Sequence, residues 1–151
     1  IVTSYVFKNG EINYDNLTAI RRAVGKEHLV LDLSCRKRED GYYIVTDRWQ
    51  KFTNVKITAD TLDMLSDYCD EYLIHAVDVE GKASGIEMHI AKLLGDWGRM
   101  PVTYAGGIAS FDDLDKLRVL GKSRIDFTIG SALDIFGGHM KYQDVLQYSD
   151  Q

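Results

Sequence analysis

The sequence predicts an α/β fold built on a parallel sheet with helices packed outside it. Three observations carry this expectation. Short β-branched and apolar runs alternate strictly with segments of helical periodicity, giving β-α five times in succession. The runs start near positions 1, 28, 72, 101 and 125, a mean spacing of about 31 residues, which is the size of one βα unit. Several runs are apolar at consecutive positions, as strands buried on both faces are.

The first strand is expected over Ile1–Phe7. A helix follows from Asp15 to Val24, because Leu17, Ile20 and Val24 share one stripe. The second strand, His28–Leu33, puts Leu29, Leu31 and Leu33 on one face and Val30, Asp32 and Ser34 on the other. Asp40-Gly41 lies between Arg38-Glu39 and Tyr42–Val45, which marks a β-hairpin inserted after this strand. Leu62, Leu65 and Cys69 place a helix over Thr61–Tyr68, and Tyr72–Val77 is the third strand. The segment Ile86–Leu94 is helical by the spacing of Ile86, Ile90, Leu93 and Leu94, and Pro101–Tyr104 is the fourth strand. Ser110 followed by Asp112 and Asp113 starts a helix, with a side-chain cap and acids in the first turn. The last strand is Ile125–Ile129, then a single extra turn within Asp134–Gly138 and a short helix over Tyr142–Tyr148. No Ser/Pro linker or low-complexity run divides the 151 residues, so one domain is expected.

Composition excludes several classes of function. A net charge of −5 and a pI near 5.3 disfavour a nucleic-acid partner. No apolar run reaches transmembrane length. The two cysteines, Cys35 and Cys69, are too few and too far apart for a zinc or disulfide framework. Reduced thiols and a cytoplasmic location are the expectation.

Loops at the C-terminal ends of parallel strands carry the chemistry of α/β proteins. Two such loops stand out. Tyr104-Ala105-Gly106-Gly107 follows the fourth strand, and Ile129-Gly130-Ser131-Ala132-Leu133 follows the fifth. Paired glycines expose N–H donors and allow a ligand close to the backbone. Either run alone reads first as an ordinary glycine turn; both in succession suggest a phosphate site. Asp32 lies in an apolar strand, where burial would raise its pKa towards general-acid duty; a structural ion pair is the alternative. His75 sits in a strand with Asp78, Glu80, Gly81 and Gly85 just beyond. It is a possible proton shuttle or a satisfied structural group. Trp49, in the hairpin segment, is placed to stack on a planar ligand or simply to pack. Val2-Thr3-Ser4-Tyr5-Val6 echoes Ile129–Leu133. Either it is a chance likeness or Thr3 and Ser4 form a second phosphate site.

Together, His28-Leu-Val-Leu-Asp-Leu-Ser-Cys-Arg-Lys37, Trp49-Gln50, Leu73-Ile-His-Ala-Val-Asp-Val-Glu-Gly81, Tyr104-Ala-Gly-Gly107 and Thr128-Ile-Gly-Ser-Ala-Leu-Asp-Ile-Phe-Gly-Gly138 resemble the histidine-biosynthesis (βα)8 barrels. The likeness is to the eukaryotic isomerase branch of that family and runs over essentially the whole chain. It implies a TIM (βα)8-barrel fold, of which residues 1–151 form the C-terminal portion. That portion is about five βα units, strands four to eight, with the hairpin after strand five. It further implies an Amadori rearrangement of a bis-phosphorylated small molecule by one acid and one base, with neither metal nor other cofactor. Asp32 matches the strand-five acid, although aligning Arg36 with bacterial relatives puts Ser34 at that position. His75 takes the strand-six position that is often Thr in bacteria, beside the substrate. Gly106, Gly107, Gly130 and Ser131 match one phosphate site; Thr3 and Ser4 belong to the other. The general base and strands one to three have no counterpart here. An N-terminal barrel segment, in the same chain or a separate one, is expected to complete the fold. Two rivals remain at this point: the related cyclase of the pathway, and a non-catalytic phosphate-binding homologue.

Overall fold

The computed structural model describes all residues, Ile1–Gln151. A short antiparallel pair, β1 (Phe7–Lys8) and β2 (Glu11–Ile12), precedes α1 (Tyr14–Val24). Next come β3 (Val30–Asp32), then β4 (Cys35–Arg38), β5 (Gly41–Thr46) and β6 (Lys51–Lys56). The remainder is α2 (Ala59–Leu65), β7 (Glu71–His75), α3 (Met88–Trp97), β8 (Val102–Ala105), α4 (Phe111–Leu120), β9 (Ile125–Thr128) and α5 (Tyr142–Ser149).

The central sheet is parallel, in the order β3-β7-β8-β9. The strands follow sequence order across it. Right-handed crossovers then put every connecting helix on the same face, the arrangement a barrel uses and a doubly wound sheet does not. On that face Leu31, Tyr72, Ile74, Val102 and Tyr104 are fully buried. They join one core with Leu17, Leu62, Leu65, Ile90, Leu94, Leu114 and Leu117. The opposite face carries Asp32, Glu71, His75, Thr103, Asp126 and Thr128, as period-two alternation requires. Thr103 donates to Glu71 across it at 3.1 Å.

The helices begin where their caps dictate. Asn13, Thr58 and Ser110 each accept an amide three residues on. The second helix is shorter than its periodicity predicts. It ends at Leu65, and Cys69 lies beyond it, still buried.

The expected first strand is corrected most. Only Val2 pairs with the sheet: its N–H donates to Val30 and its carbonyl accepts from Asp32, both at 2.9 Å. Thr3 leaves the extended region and Ser4–Val6 forms a 3-10 turn. The chain then folds back on itself through Asn9-Gly10, both left-handed, a strong hairpin turn. The hairpin expected at Asp40-Gly41 is present, and β6 extends it to a three-stranded antiparallel sheet. A bridge from Cys35 to Ala76 ties this sheet to the C-terminal end of β7. The expected single turn is the 3-10 segment Asp134–Phe136.

Candidate active site

The C-terminal ends of β7, β8 and β9 open onto a cavity of about 190 Å³. Its lining includes His75, Glu80, Gly106, Gly107, Gly130 and Ser131, so five residues singled out in the sequence meet in one place. Parallel register makes this happen, because His75 pairs with Ala105 and Ala105 with Thr128. Each following loop therefore leaves the sheet at the same level.

The two glycine loops differ in what demands the glycine. Gly106 and Gly107 have φ of +127° and +75°. A Cβ on them would lie 2.6 Å from the Ala76 carbonyl oxygen and 2.1 Å from that of Gly85. The fold itself requires glycine there. At Gly130 a Cβ would meet nothing within 4 Å, so no neighbour in this chain requires its absence. None of the amides of Gly106, Gly107, Ile108, Gly130, Ser131 and Ala132 donates to a backbone acceptor. Successive free N–H groups around a concavity are an arrangement able to receive an anion.

His75 closes the other side. Its Nε2 lies 2.9 Å from a Glu80 carboxylate oxygen but is not aligned with it as a hydrogen bond, so the ring nitrogen is left unpartnered. The contact is one of proximity alone, with the nitrogen free for another partner. The Trp49 ring meets His75 edge-on, centroids 5.0 Å apart. Three consecutive left-handed residues, Asp47, Arg48 and Trp49, swing the indole into that position.

Asp32 lies on the open face one strand away and is not among the cavity's lining residues. Burial raises its pKa, and a hydrogen bond from Ser34 (3.0 Å) and the nearby His75 charge offset part of that rise. Ser34 is itself buried and spent on Asp32. Thr3 and Ser4 are exposed beside the Val2 bridge, outside the cavity. The turn at Ser4–Val6 replaces the strand expected from the apolar run Ile1–Phe7.

Two pairings were not legible in the sequence, which marked Asp78 and Glu80 only as acids beyond His75. Glu80 faces His75, and the signal was its place in the acid-rich run after β7. Asp78 accepts from the Arg36 side chain at 3.0 Å and the Lys37 amide at 2.9 Å. Burial would raise the Asp78 carboxyl, but these donors hold it below the ordinary carboxylate value. This pair clamps the β4-β5-β6 sheet against the turn after β7. Cys35, buried nearby, has its thiol pushed up to about 12 by burial and surrounding acids, which removes it as a nucleophile.

A family model described as "Histidine biosynthesis protein" matches residues 1–141. The chain is 53% identical over 151 residues to the chloroplastic 1-(5-phosphoribosyl)-5-((5-phosphoribosylamino)methylideneamino) imidazole-4-carboxamide isomerase of Medicago truncatula. The alignment covers all of this chain and 48% of that protein. Proteins with the same isomerase name from Saccharomyces cerevisiae and Yarrowia lipolytica are 40% and 39% identical, over 158 and 160 residues. These alignments again cover the whole chain, and 60% and 61% of the relatives. The chain thus spans about half to three fifths of the length of these relatives.

Proposed function

The chain belongs to the histidine biosynthesis protein family, and from that membership we propose that it is the C-terminal part of an aldose–ketose isomerase barrel. The proposed substrate is the bis-phosphorylated imidazole-carboxamide ribotide class named in the relatives. The carrying observation is the cavity in which His75 faces two loops of unengaged amides at the ends of three adjacent parallel strands. The Medicago truncatula, Saccharomyces cerevisiae and Yarrowia lipolytica relatives bear an isomerase name, which favours this reading over the cyclase and the non-catalytic homologue.

In this proposal, Gly106, Gly107, Gly130 and Ser131 hold one phosphate through their N–H groups. Asp32, its pKa raised by burial, gives a proton to the ring oxygen as the aminoaldose opens. A carboxylate on a strand outside this chain then moves the C2′ proton to yield the aminoketose. His75 donates from Nε2 to the substrate, and Trp49 flanks it over a planar group. Thr3 and Ser4 remain a candidate second phosphate site, since further strands would pass beside Val2. We propose that those strands, the first three of eight, come from a complementary N-terminal segment. The sheet's edges support this: β9 pairs only with β8, and β3 has a single bridge on its outer side. Sheets rarely leave such edges unprotected. A reducing compartment is proposed from the two free buried thiols; the cytoplasm is one such compartment, and the Medicago truncatula relative is named chloroplastic. No helix is long and apolar enough to cross a membrane.

The test is Asp32→Asn in the full-length protein. Turnover should fall about 10²–10⁴-fold, the usual contribution of a general acid, with substrate affinity retained. Near-normal turnover would remove Asp32 from the mechanism.

A further inference from the structure

The Gly106–Gly107 peptide is held from behind by hydrogen bonds that the proposed chemistry does not use. The fully buried Tyr104 hydroxyl donates to the Gly106 carbonyl at 2.8 Å and accepts the Glu87 amide at 2.9 Å. Glu87, just before α3, accepts from the Tyr42 hydroxyl of β5 at 2.6 Å. All peptide bonds are trans, and a trans peptide points its C=O and N–H in opposite directions. Holding the Gly106 oxygen towards Tyr104, on the core side of β8, therefore turns the Gly107 N–H to the other side. That N–H has no backbone acceptor, and Gly107 lines the cavity. A peptide between two glycines is also the one most free to rotate. Were it to flip, a carbonyl oxygen would replace the N–H and repel an anion.

We propose that Tyr104 is a positioning residue whose hydroxyl fixes the direction of the Gly107 N–H and so sets how strongly the cradle holds phosphate. This rests on the phosphate reading of the cavity. Tyr104 does not touch the substrate; it acts through the glycine peptide.

The experiment compares the full-length protein with its Tyr104→Phe and Tyr42→Phe variants. Inorganic phosphate is titrated while the Gly107 amide is followed by NMR, and KM and kcat are measured in the isomerase reaction. Tyr104→Phe should weaken phosphate binding about tenfold, as expected when one hydrogen bond to a charged group is lost. KM should rise in parallel while kcat changes less than about twofold, the pattern of lost uniform binding. Tyr42→Phe, which removes the outer bond only, should leave both unchanged. Unaltered phosphate affinity in folded Tyr104→Phe overturns the proposal, as does an equal loss in both variants. A Tyr104→Phe protein that cannot fold also overturns it, by assigning the hydroxyl to folding. If the parent binds phosphate at Gly107 yet does not isomerise, the isomerase reading falls and the phosphate arm still decides the role of Tyr104.

Discussion

Asp32 and Asp78 titrate in opposite senses, and each sense has a consequence for stability. Burial raises the Asp32 carboxyl. A group raised on folding contributes stability fully below its unfolded value and loses that contribution as pH climbs through its folded value. Where Asp32 is ionised, its buried carboxylate opposes folding. Asp32→Asn is expected to gain on the parent in melting temperature as pH rises through the folded Asp32 value, while losing turnover, a trade between stability and activity. A melting-temperature difference that does not grow with pH would contradict the burial argument. Asp78 is held below its ordinary value by Lys37 and Arg36, so its contribution is present above that ordinary value. It is lost as pH falls through the lowered one. Asp78→Asn should lower stability at pH 7 by about 1 kcal/mol or less, because the pair is partly exposed. It should also flatten the acid limb of a melting-temperature series.

At the scale of elements, the glycine loops separate folding from binding. Gly107→Ala puts a Cβ 2.1 Å from a carbonyl oxygen at φ +75°, and should lower the melting temperature and distort the loop. Gly130→Ala meets nothing, so the melting temperature should not move. A methyl would still stand beside the amides of the cradle, and phosphate affinity should fall. If Gly130→Ala binds phosphate like the parent, the loop after β9 is not part of the cradle. Helix α4 offers a local check: Ser110→Ala should cost about 1 kcal/mol, the worth of an N-cap. Its starting signals were plain in the sequence. So were those of the Asp40-Gly41 hairpin and of the strands bearing Asp32 and His75. The Asn9-Gly10 reversal was equally local, and it pairs Phe7–Lys8 with Glu11–Ile12, while the turn at Ser4–Val6 leaves only Val2 on the central sheet.

For the whole molecule, sequential strand order and one-sided helices fit a barrel wall. The open face bears Asp32, His75, Asp126 and Thr128. If a complementary segment closes the wall, mixing it with this chain should restore isomerase activity and slow hydrogen exchange along the free edge of β9. Activity without the segment at the level of the mixture, or unchanged exchange of β9 on mixing, would argue against closure.

The sequence by itself determined the alternation of strands and helices, the caps, the face on which Asp32 lies, and the two glycine loops. Each of these depends on residues within one or two turns of each other, where period, sterics and capping act directly. Only the tertiary structure decided which of these features meet. Register across β7, β8 and β9 brought His75 to the glycine loops and left Asp32 one strand away. Three left-handed residues put Trp49 against His75, and Asp78 found Arg36 across 42 positions of chain. Such contacts join elements far apart in sequence. They are fixed by packing and strand register, which no local period encodes.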